Sequence, residues 1–146
     1  LPGGDDDLFI NKVATAANTA IVIDANAFTF SEPETTWRNW QKQKSRHYTT
    51  SKHYKPKHQW LLGMYAFSHL LFYPLLLMAA VLYSWWLALV VFAVRLLVQG
   101  IVYNRSMQQL NEKDLFWFFP LLDLWQWFYY LLFAPSLVKK PDNNWK

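Results

Sequence analysis

The chain has 146 residues and contains no cysteine. Disulfide bonds and thiolate metal sites are therefore excluded, and the sequence gives no reading of the redox compartment. The first residues, Leu1-Pro2-Gly3-Gly4, lack an initiator methionine, a basic n-region and an apolar h-region. The sequence thus predicts no signal peptide at this point, and a start in the middle of a longer chain.

Positive charge is scarce in residues 1–34, and negative charge is absent from residues 36–58. Residues 1–34 carry six acids and the single base Lys12, whereas residues 36–58 carry bases and no acid. These seven bases, called the basic belt, are Arg38, Lys42, Lys44, Arg46, Lys52, Lys55 and Lys57. A basic segment before an apolar one attracts anionic lipid head groups, at about 1 kcal/mol per basic residue near the surface. Because the belt leads into apolar sequence, we interpret it as facing lipid rather than nucleic acid.

No residue from Gln59 to Val94 carries a fixed charge. At about 1.5 Å per residue, one helix of that length would far exceed a hydrocarbon core of about 30 Å. The sequence therefore predicts two membrane spans, at about 60–82 and 85–103, joined by a tight turn at Tyr83-Ser84. Charge bias places the basic belt, and with it the polar residues, on the cytoplasmic side of a cell (inner) membrane.

A third apolar segment, at about 115–137, follows a predicted polar loop at 104–114. A third crossing would export the lysines of the C-terminal tail, so a span, a re-entrant hairpin and an interfacial helix all stay open. The segment contains Asp123, and the second span contains Arg95. Ionisable residues inside membrane segments usually pair, so we expect a salt bridge between these two residues.

The polar residues 1–58 indicate a small α/β region ahead of the membrane region 59–146. The predicted elements are a helix over 5–17, short strands at 20–24 and 27–31, and a helix over about 36–51. The predicted fold class is a mainly α membrane protein, in which a short α/β remnant precedes an amphipathic helix and two to three membrane helices.

Three adjacent carboxylates, Asp5, Asp6 and Asp7, open the first predicted helix. They fit a solvated helix terminus, a site for a hard cation such as Mg²⁺, or a general base whose pKa is held up by its neighbours. Adjacent helical residues point about 100° apart, so all three cannot easily share one ion.

Gln43 and Arg46 project from one face of the second predicted helix, since they are three residues apart. They fit either a lipid-facing basic surface or a clamp for a diphosphate leaving group. Nearby Trp37, Trp40 and Tyr48 fit sugar stacking, interfacial anchoring or packing. The four histidines lack the spacing of a zinc helix, so we predict no metal site in them.

The aspartates 5–7, the Gln43–Arg46 group and the apolar segments follow one another along the chain. In this order they resemble the C-terminal half of membrane-bound family-2 glycosyltransferases, the group that contains cellulose, chitin and hyaluronan synthases. That family has a Glu-Asp or Asp-Asp pair, then two residues and Leu, and Gly4-Asp5-Asp6-Asp7-Leu8 is similar to it with Gly4 in place of Glu. The family's later Gln-x-x-Arg-Trp motif resembles Gln43-x-x-Arg46-His47. His47 stands where Trp is usual, a departure that bears on the contact to an acceptor sugar and on processive polymerisation.

The resemblance implies a GT-A catalytic domain and inverting transfer from a nucleotide-diphosphate sugar to a lipid or saccharide acceptor, in polysaccharide or cell-envelope synthesis. It implies Asp5 as the catalytic base, or Asp6 if the register slips by one. It implies a substrate and diphosphate site with Gln43, Arg46, His47 and Trp40. Mg²⁺ or Mn²⁺ is expected, with ligands mostly in a nucleotide-binding half that precedes Leu1, so the chain alone would be inactive.

Two other classes of protein fit parts of the sequence. A non-catalytic membrane anchor or lipid-binding subunit would use the basic belt and the aromatic residues. A small transporter or channel component would place Arg95 and Asp123 along a path through the membrane.

Overall fold

A computed structural model describes residues 5–138, which are mostly helical and contain no strand. The α-helices are α1 (Asp5–Val13), α2 (Trp37–Thr50), α3 (Pro56–Leu82), α4 (Trp85–Gln109) and α5 (Phe119–Phe133). Short 3-10 helices cover Ala25–Ala27, Ser51–His53, Lys113–Phe118 and Ala134–Leu137. The described residues form two compact units, the first made of residues 5–22, 29–64 and 129–138, the second of residues 23–28 and 65–128.

The two predicted strands at 20–24 and 27–31 are wrong for the described chain. The Asp24 carboxylate accepts a hydrogen bond from the Asn26 backbone N–H at 2.9 Å, which turns the chain into a 3-10 helix instead of continuing a strand. Ile21 and Phe30 are 86% and 93% exposed. A strand needs a neighbouring edge for its backbone hydrogen bonds, and residues 5–138 supply none, so these residues show no α/β remnant.

Capping side chains set the ends of the first two helices. α1 ends at Val13, earlier than predicted, because the Asn18 amide donates to the Val13 carbonyl at 3.0 Å and accepts from the Thr15 N–H at 2.7 Å. α2 begins where predicted: the Thr36 hydroxyl accepts from the Asn39 N–H at 3.2 Å as an N-cap.

α3 and α4 are both long and apolar enough to cross a membrane, judged by length and composition. α3 ends and α4 begins where the predicted spans do, whereas α3 begins before residue 60 and α4 continues beyond residue 103. The predicted turn at Tyr83-Ser84 is confirmed: both N–H groups donate to the Ala79 carbonyl, and Ser84 caps α4. The polar loop predicted from residue 104 begins only after Gln109, because α4 continues and Gln108 donates to Asn104 one turn earlier at 3.0 Å.

The third apolar segment is one α-helix between two 3-10 helices. α5 has 15 residues, shorter than the roughly 20 residues that span a hydrocarbon core as an α-helix. In the second unit its first residue, Phe119, packs against Phe116 and against Tyr103 of α4, with ring centroids 5.5 Å and 5.8 Å apart. Aromatic contacts therefore hold the start of α5 to α4.

Candidate functional site

In the first unit, Asn11 ties α1 to the beginning of α3. Its amide oxygen accepts from the Lys55 N–H at 2.8 Å, and its amide nitrogen lies 2.7 Å from His58 Nδ1. Since an amide nitrogen only donates, Nδ1 accepts, and the proton of the neutral imidazole lies on Nε2. Two hydrogen bonds from one side chain thus hold the second half of α1 beside the first turn of α3.

An open cavity of about 390 Å³ lies at this junction. We call it the acidic cavity. It is lined by Asp6, Asp7, Ile10, Asn11, Ala14, Tyr54 and His58. Its polar groups are carboxylates, a phenol and an imidazole, and Ile10 and Ala14 supply an apolar wall. Carboxylates that accept protons, beside neutral donors, suit a ligand that carries hydroxyl groups.

Tyr54 joins the cavity to the carboxylate of Asp7. Its hydroxyl donates to Asp7 Oδ2 at 3.5 Å. Burial of the ring, followed by the negative charge of Asp7, raises the pKa of Tyr54 above its ordinary value. The phenol is therefore neutral at physiological pH and keeps the proton that it donates to Asp7.

The predicted base residues fall at this cavity as far as they are described. Asp5 opens α1, and its side chain lies outside the described residues. Asp6 lines the cavity, and one of its oxygens accepts from the Asp7 N–H at 2.9 Å. The structure therefore brings Asp6 together with Tyr54 and His58, two residues that the sequence did not single out for this site.

The four predicted substrate-binding residues of α2 do not line the acidic cavity. Gln43 and Arg46 are half-buried and His47 is exposed. The Arg46 carbonyl accepts from the hydroxyls of Thr49 and Thr50 at 2.7 Å and 3.2 Å. The structure keeps Gln43 and Arg46 on one helix, as predicted, and neither residue lines the acidic cavity with Asp6.

Trp40 lies in an aromatic cluster rather than in an open site. We call Trp40, Tyr48, Tyr129 and Phe133 the aromatic brace. Trp40 and Tyr48 on α2 each lie 5.6 Å from Phe133 between ring centroids, and Phe133 is fully buried. Burial, then the neighbouring Tyr129 and Tyr130, raises the pKa of Tyr48, so its phenol is neutral. Trp40 therefore packs α2 against the end of α5, which was one of the open interpretations of this residue.

A polar cluster lies inside the second unit, between α3, α4 and α5. Asp123 is 4% exposed and accepts from Arg95 at 3.0 Å, from Gln99 at 2.6 Å and from Tyr73 at 2.6 Å. The predicted salt bridge between Arg95 and Asp123 is confirmed. Together with His69, these residues form what we call the Asp123 cluster.

The partners of His69 in this cluster indicate the hydrogen-bonding role of each ring nitrogen. Its Nε2 lies 3.1 Å from the Asp123 carbonyl, which only accepts, and its Nδ1 lies 3.1 Å from an Arg95 nitrogen, which only donates. Nε2 therefore carries the proton and Nδ1 accepts. Spacing in the sequence gives a signal for the neutral members. His69 and Tyr73 on α3 are four residues apart, and Gln99 on α4 lies four residues after Arg95, so each pair shares a helix face.

Asn11→Ala tests the link between α1 and α3. We expect the Lys55 amide to exchange its hydrogen several-fold faster, because a net loss of about 0.5–1.5 kcal/mol per hydrogen bond raises the population of the open state. Hydrogen exchange measured by mass spectrometry gives the rate. Lys12→Ala, an exposed residue on the same helix, is the control, and equal exchange in both variants would contradict the link.

Comparisons with family models, with curated proteins and with solved structures give no match for this chain.

Proposed function

We propose that the chain is the acceptor-side part of an inverting membrane glycosyltransferase, which transfers a sugar from a nucleotide-diphosphate sugar to a lipid or saccharide acceptor. The proposal joins the resemblance of the Asp5–Asp7 and Gln43–Arg46 motifs to the order of the described helices. It includes residence in the cell membrane with the polar residues in the cytoplasm. Activity requires an upstream half that binds the nucleotide.

The attachment of α1 by Asn11 is the observation that carries the proposal. It holds α1 against residues 55–58 at the start of the first membrane-length helix, where Asp6 and Asp7 line a cavity with Tyr54 and His58. A base that acts on an acceptor at a bilayer surface has to be held at that level, within hydrogen-bond reach of the acceptor hydroxyl. Position beside the start of the membrane-length helix supports Asp6 as this base, because Asp6 lines a cavity that also contains Tyr54 and His58.

In the proposed reaction, a carboxylate takes the proton of the acceptor hydroxyl as its oxygen attacks the anomeric carbon. The bond from that carbon to the diphosphate oxygen breaks on the opposite face, and the diphosphate leaves with the bonding electron pair. Arg46 and Gln43 serve the departing diphosphate, since a guanidinium offers two parallel donors and an amide adds a directional one.

The expected divalent cation is not assigned to the residues of this chain. Residues 5–138 contain no group of three or more His, Asp or Glu side chains that could hold a metal ion. Its ligands would therefore come from the upstream half, as the family resemblance implies. No step above depends on it.

A lipid-binding anchor is the second candidate function, and exposure of the basic belt favours it. Arg38, Lys42, Lys52, Lys55 and Lys57 are all exposed. An anchor binds anionic lipid through the number of its charges and has no dependence on a nucleotide sugar. The two candidates therefore differ in the effect that removal of the Arg46 side chain has on sugar transfer.

Arg46→Ala and Lys42→Ala separate the two candidates, because each removes one positive charge from α2. In the chain joined to its upstream half, we expect Arg46→Ala to lower sugar transfer about ten- to a hundredfold, the range for a lost charge-assisted hydrogen bond. Lys42→Ala should leave transfer within a few-fold. Both should weaken binding to anionic vesicles similarly.

The measurements are transfer of a radiolabelled sugar from its nucleotide donor and sedimentation with vesicles of anionic lipid. If the joined protein transfers no sugar from any of a panel of nucleotide sugars, the transferase proposal fails. If it transfers sugar equally well in both variants, the role of Arg46 fails and the proposed function stands.

A further inference from the structure

We propose that residues 113–137 form a re-entrant segment, which enters the bilayer and leaves it on the same side, and whose last turns brace α2. The inference does not depend on transferase activity. It rests on where the two ends of the segment lie relative to the helices that cross, and on what its middle contacts.

The end of the segment lies with α2. Within the first unit, the 3-10 helix Ala134–Leu137 packs against α2. Phe133 is fully buried, its ring stacks on Tyr48 at an interplanar angle of 28°, and Tyr129 lies 4.6 Å from it. α2 leads into α3 through only the few residues 51–55. The end of the segment is therefore on the side of the membrane where α3 begins.

The start of the segment is on that side as well. α3 and α4 are the two membrane-length helices, and the turn at Tyr83-Ser84 between them is too short for anything but a hairpin. Within the second unit, His69 of α3 contacts Arg95 of α4 at 3.1 Å, as neighbours in such a hairpin do. Two crossings return the chain after Gln109 to the side from which α3 set out. With both ends on one side, the segment makes no net crossing.

The middle of the segment is inside the bilayer rather than on its surface. Asp123 contacts His69, which lies 13 residues after the start of α3 at Pro56, a rise of about 20 Å along the helix. Arg95 and Gln99, its partners on α4, are likewise far from both ends of that helix. Because Asp123 of α5 contacts residues in the middle of α3 and α4, we place the middle of the segment at the level of the hydrocarbon core. In α5 the polar side chain of Asp123 faces protein, as a membrane-embedded charge requires.

The charge of the sequence agrees with a segment that returns. Lys139, Lys140 and Lys146 follow it, and the basic belt precedes α3. Basic residues close to membrane segments collect on one side. A re-entrant segment puts both groups of basic residues on that side, whereas a third crossing would separate them.

The absence of cysteine from the sequence makes a direct test possible, because a single introduced cysteine is the only thiol of residues 1–146. The variants are Glu34→Cys, Tyr83→Cys, Glu112→Cys and Val138→Cys, all at exposed positions. Each is made in the intact chain and placed in sealed membrane vesicles. A membrane-impermeant maleimide is then added outside, or on both sides after permeabilisation, with any upstream cysteines replaced.

We expect Glu34→Cys, Glu112→Cys and Val138→Cys to be labelled from one side, and Tyr83→Cys from the other. Labelling of Val138→Cys from the side of Tyr83→Cys, or from both sides, would overturn the proposal. The role of the last turns as a brace is measured by hydrogen exchange in α2.

Phe133→Ala should speed exchange of the α2 amides several-fold, and Phe133→Leu should speed it less, because Leu retains part of the buried volume. Leu132→Ala, at a neighbouring position that is 38% exposed, is the control. Unchanged α2 exchange in Phe133→Ala would overturn the brace. The cysteine variants keep Phe133, so their labelling does not depend on the exchange experiment. If Phe133→Ala fails to insert into the membrane, the labelling still tests the topology.

Discussion

Asp5→Asn with Asp6→Asn, in the chain joined to the upstream half of the proposed transferase, is expected to lower sugar transfer about 10²- to 10⁴-fold. Positioned proton transfer contributes that range to enzymatic rates, and an amide cannot accept the proton of the acceptor hydroxyl. The change is also isosteric, so the helix start keeps its shape. Turnover with saturating donor and acceptor is the measurement.

The single variants decide which carboxylate is the base. The resemblance assigns it to Asp5, whereas the structure places Asp6 on the acidic cavity with Tyr54 and His58. We therefore expect one of the two single variants to reproduce nearly all of the loss. Glu34→Gln removes an exposed carboxylate ahead of α2 and is the matched control. Undiminished turnover in the double variant would defeat the assignment of either residue.

The hairpin of α3 and α4 could be predicted from the sequence because its signal is local. An uncharged stretch too long for one crossing requires a turn inside it, and Tyr83-Ser84 is where the turn occurs. The start of α2 was predictable for the same reason, since Thr36 is a capping residue next to the helix that it caps. The end of α4 differs from the prediction: the polar residues after Tyr103 favour a loop, but Gln108 donates a hydrogen bond to Asn104 and the helix continues to Gln109.

The strands failed because strand formation is not local. Ile21, Val22 and Ile23 have the β-branched side chains of a strand. A strand also needs a partner edge, and residues 5–138 do not provide one. The exposure of Ile21, at 86%, is what such a segment shows when nothing pairs with it.

The candidate site was predictable only in part, and for a related reason. Asp6 was identified from its position at a helix start. Tyr54 and His58 were not, because their partners, Asp7 and Asn11, lie 47 residues away in each case. Likewise, the charged members of the Asp123 cluster could be predicted because a charge stands out in an apolar sequence, whereas Tyr73 and Gln99 are neutral and give no such signal.

Asp123→Ala is expected to destabilise the packing of α3, α4 and α5 by about 3–5 kcal/mol, the range for removing one partner of a buried ion pair. The loss arises mainly from Arg95, whose guanidinium keeps its charge without a counter-ion, while Gln99 and Tyr73 also lose their acceptor. Unfolding by denaturant in mixed lipid–detergent micelles, followed by the fluorescence of the nine tryptophans, measures the change. Asp114→Ala, at an exposed position, is the control and should change stability by less than about 0.5 kcal/mol.

The double variant Arg95→Met, Asp123→Leu shows whether loss of the Arg95–Asp123 ion pair causes the destabilisation by Asp123→Ala. Replacing both charges by apolar side chains of similar volume removes the unpaired cation, so we expect most of the lost stability to return. Asp123→Asn should lie in between, because the amide oxygen still accepts from Tyr73 or Gln99. A double variant no more stable than Asp123→Ala would mean that the geometry of the five-residue cluster, rather than the neutralisation of Arg95, holds α5 to α3 and α4.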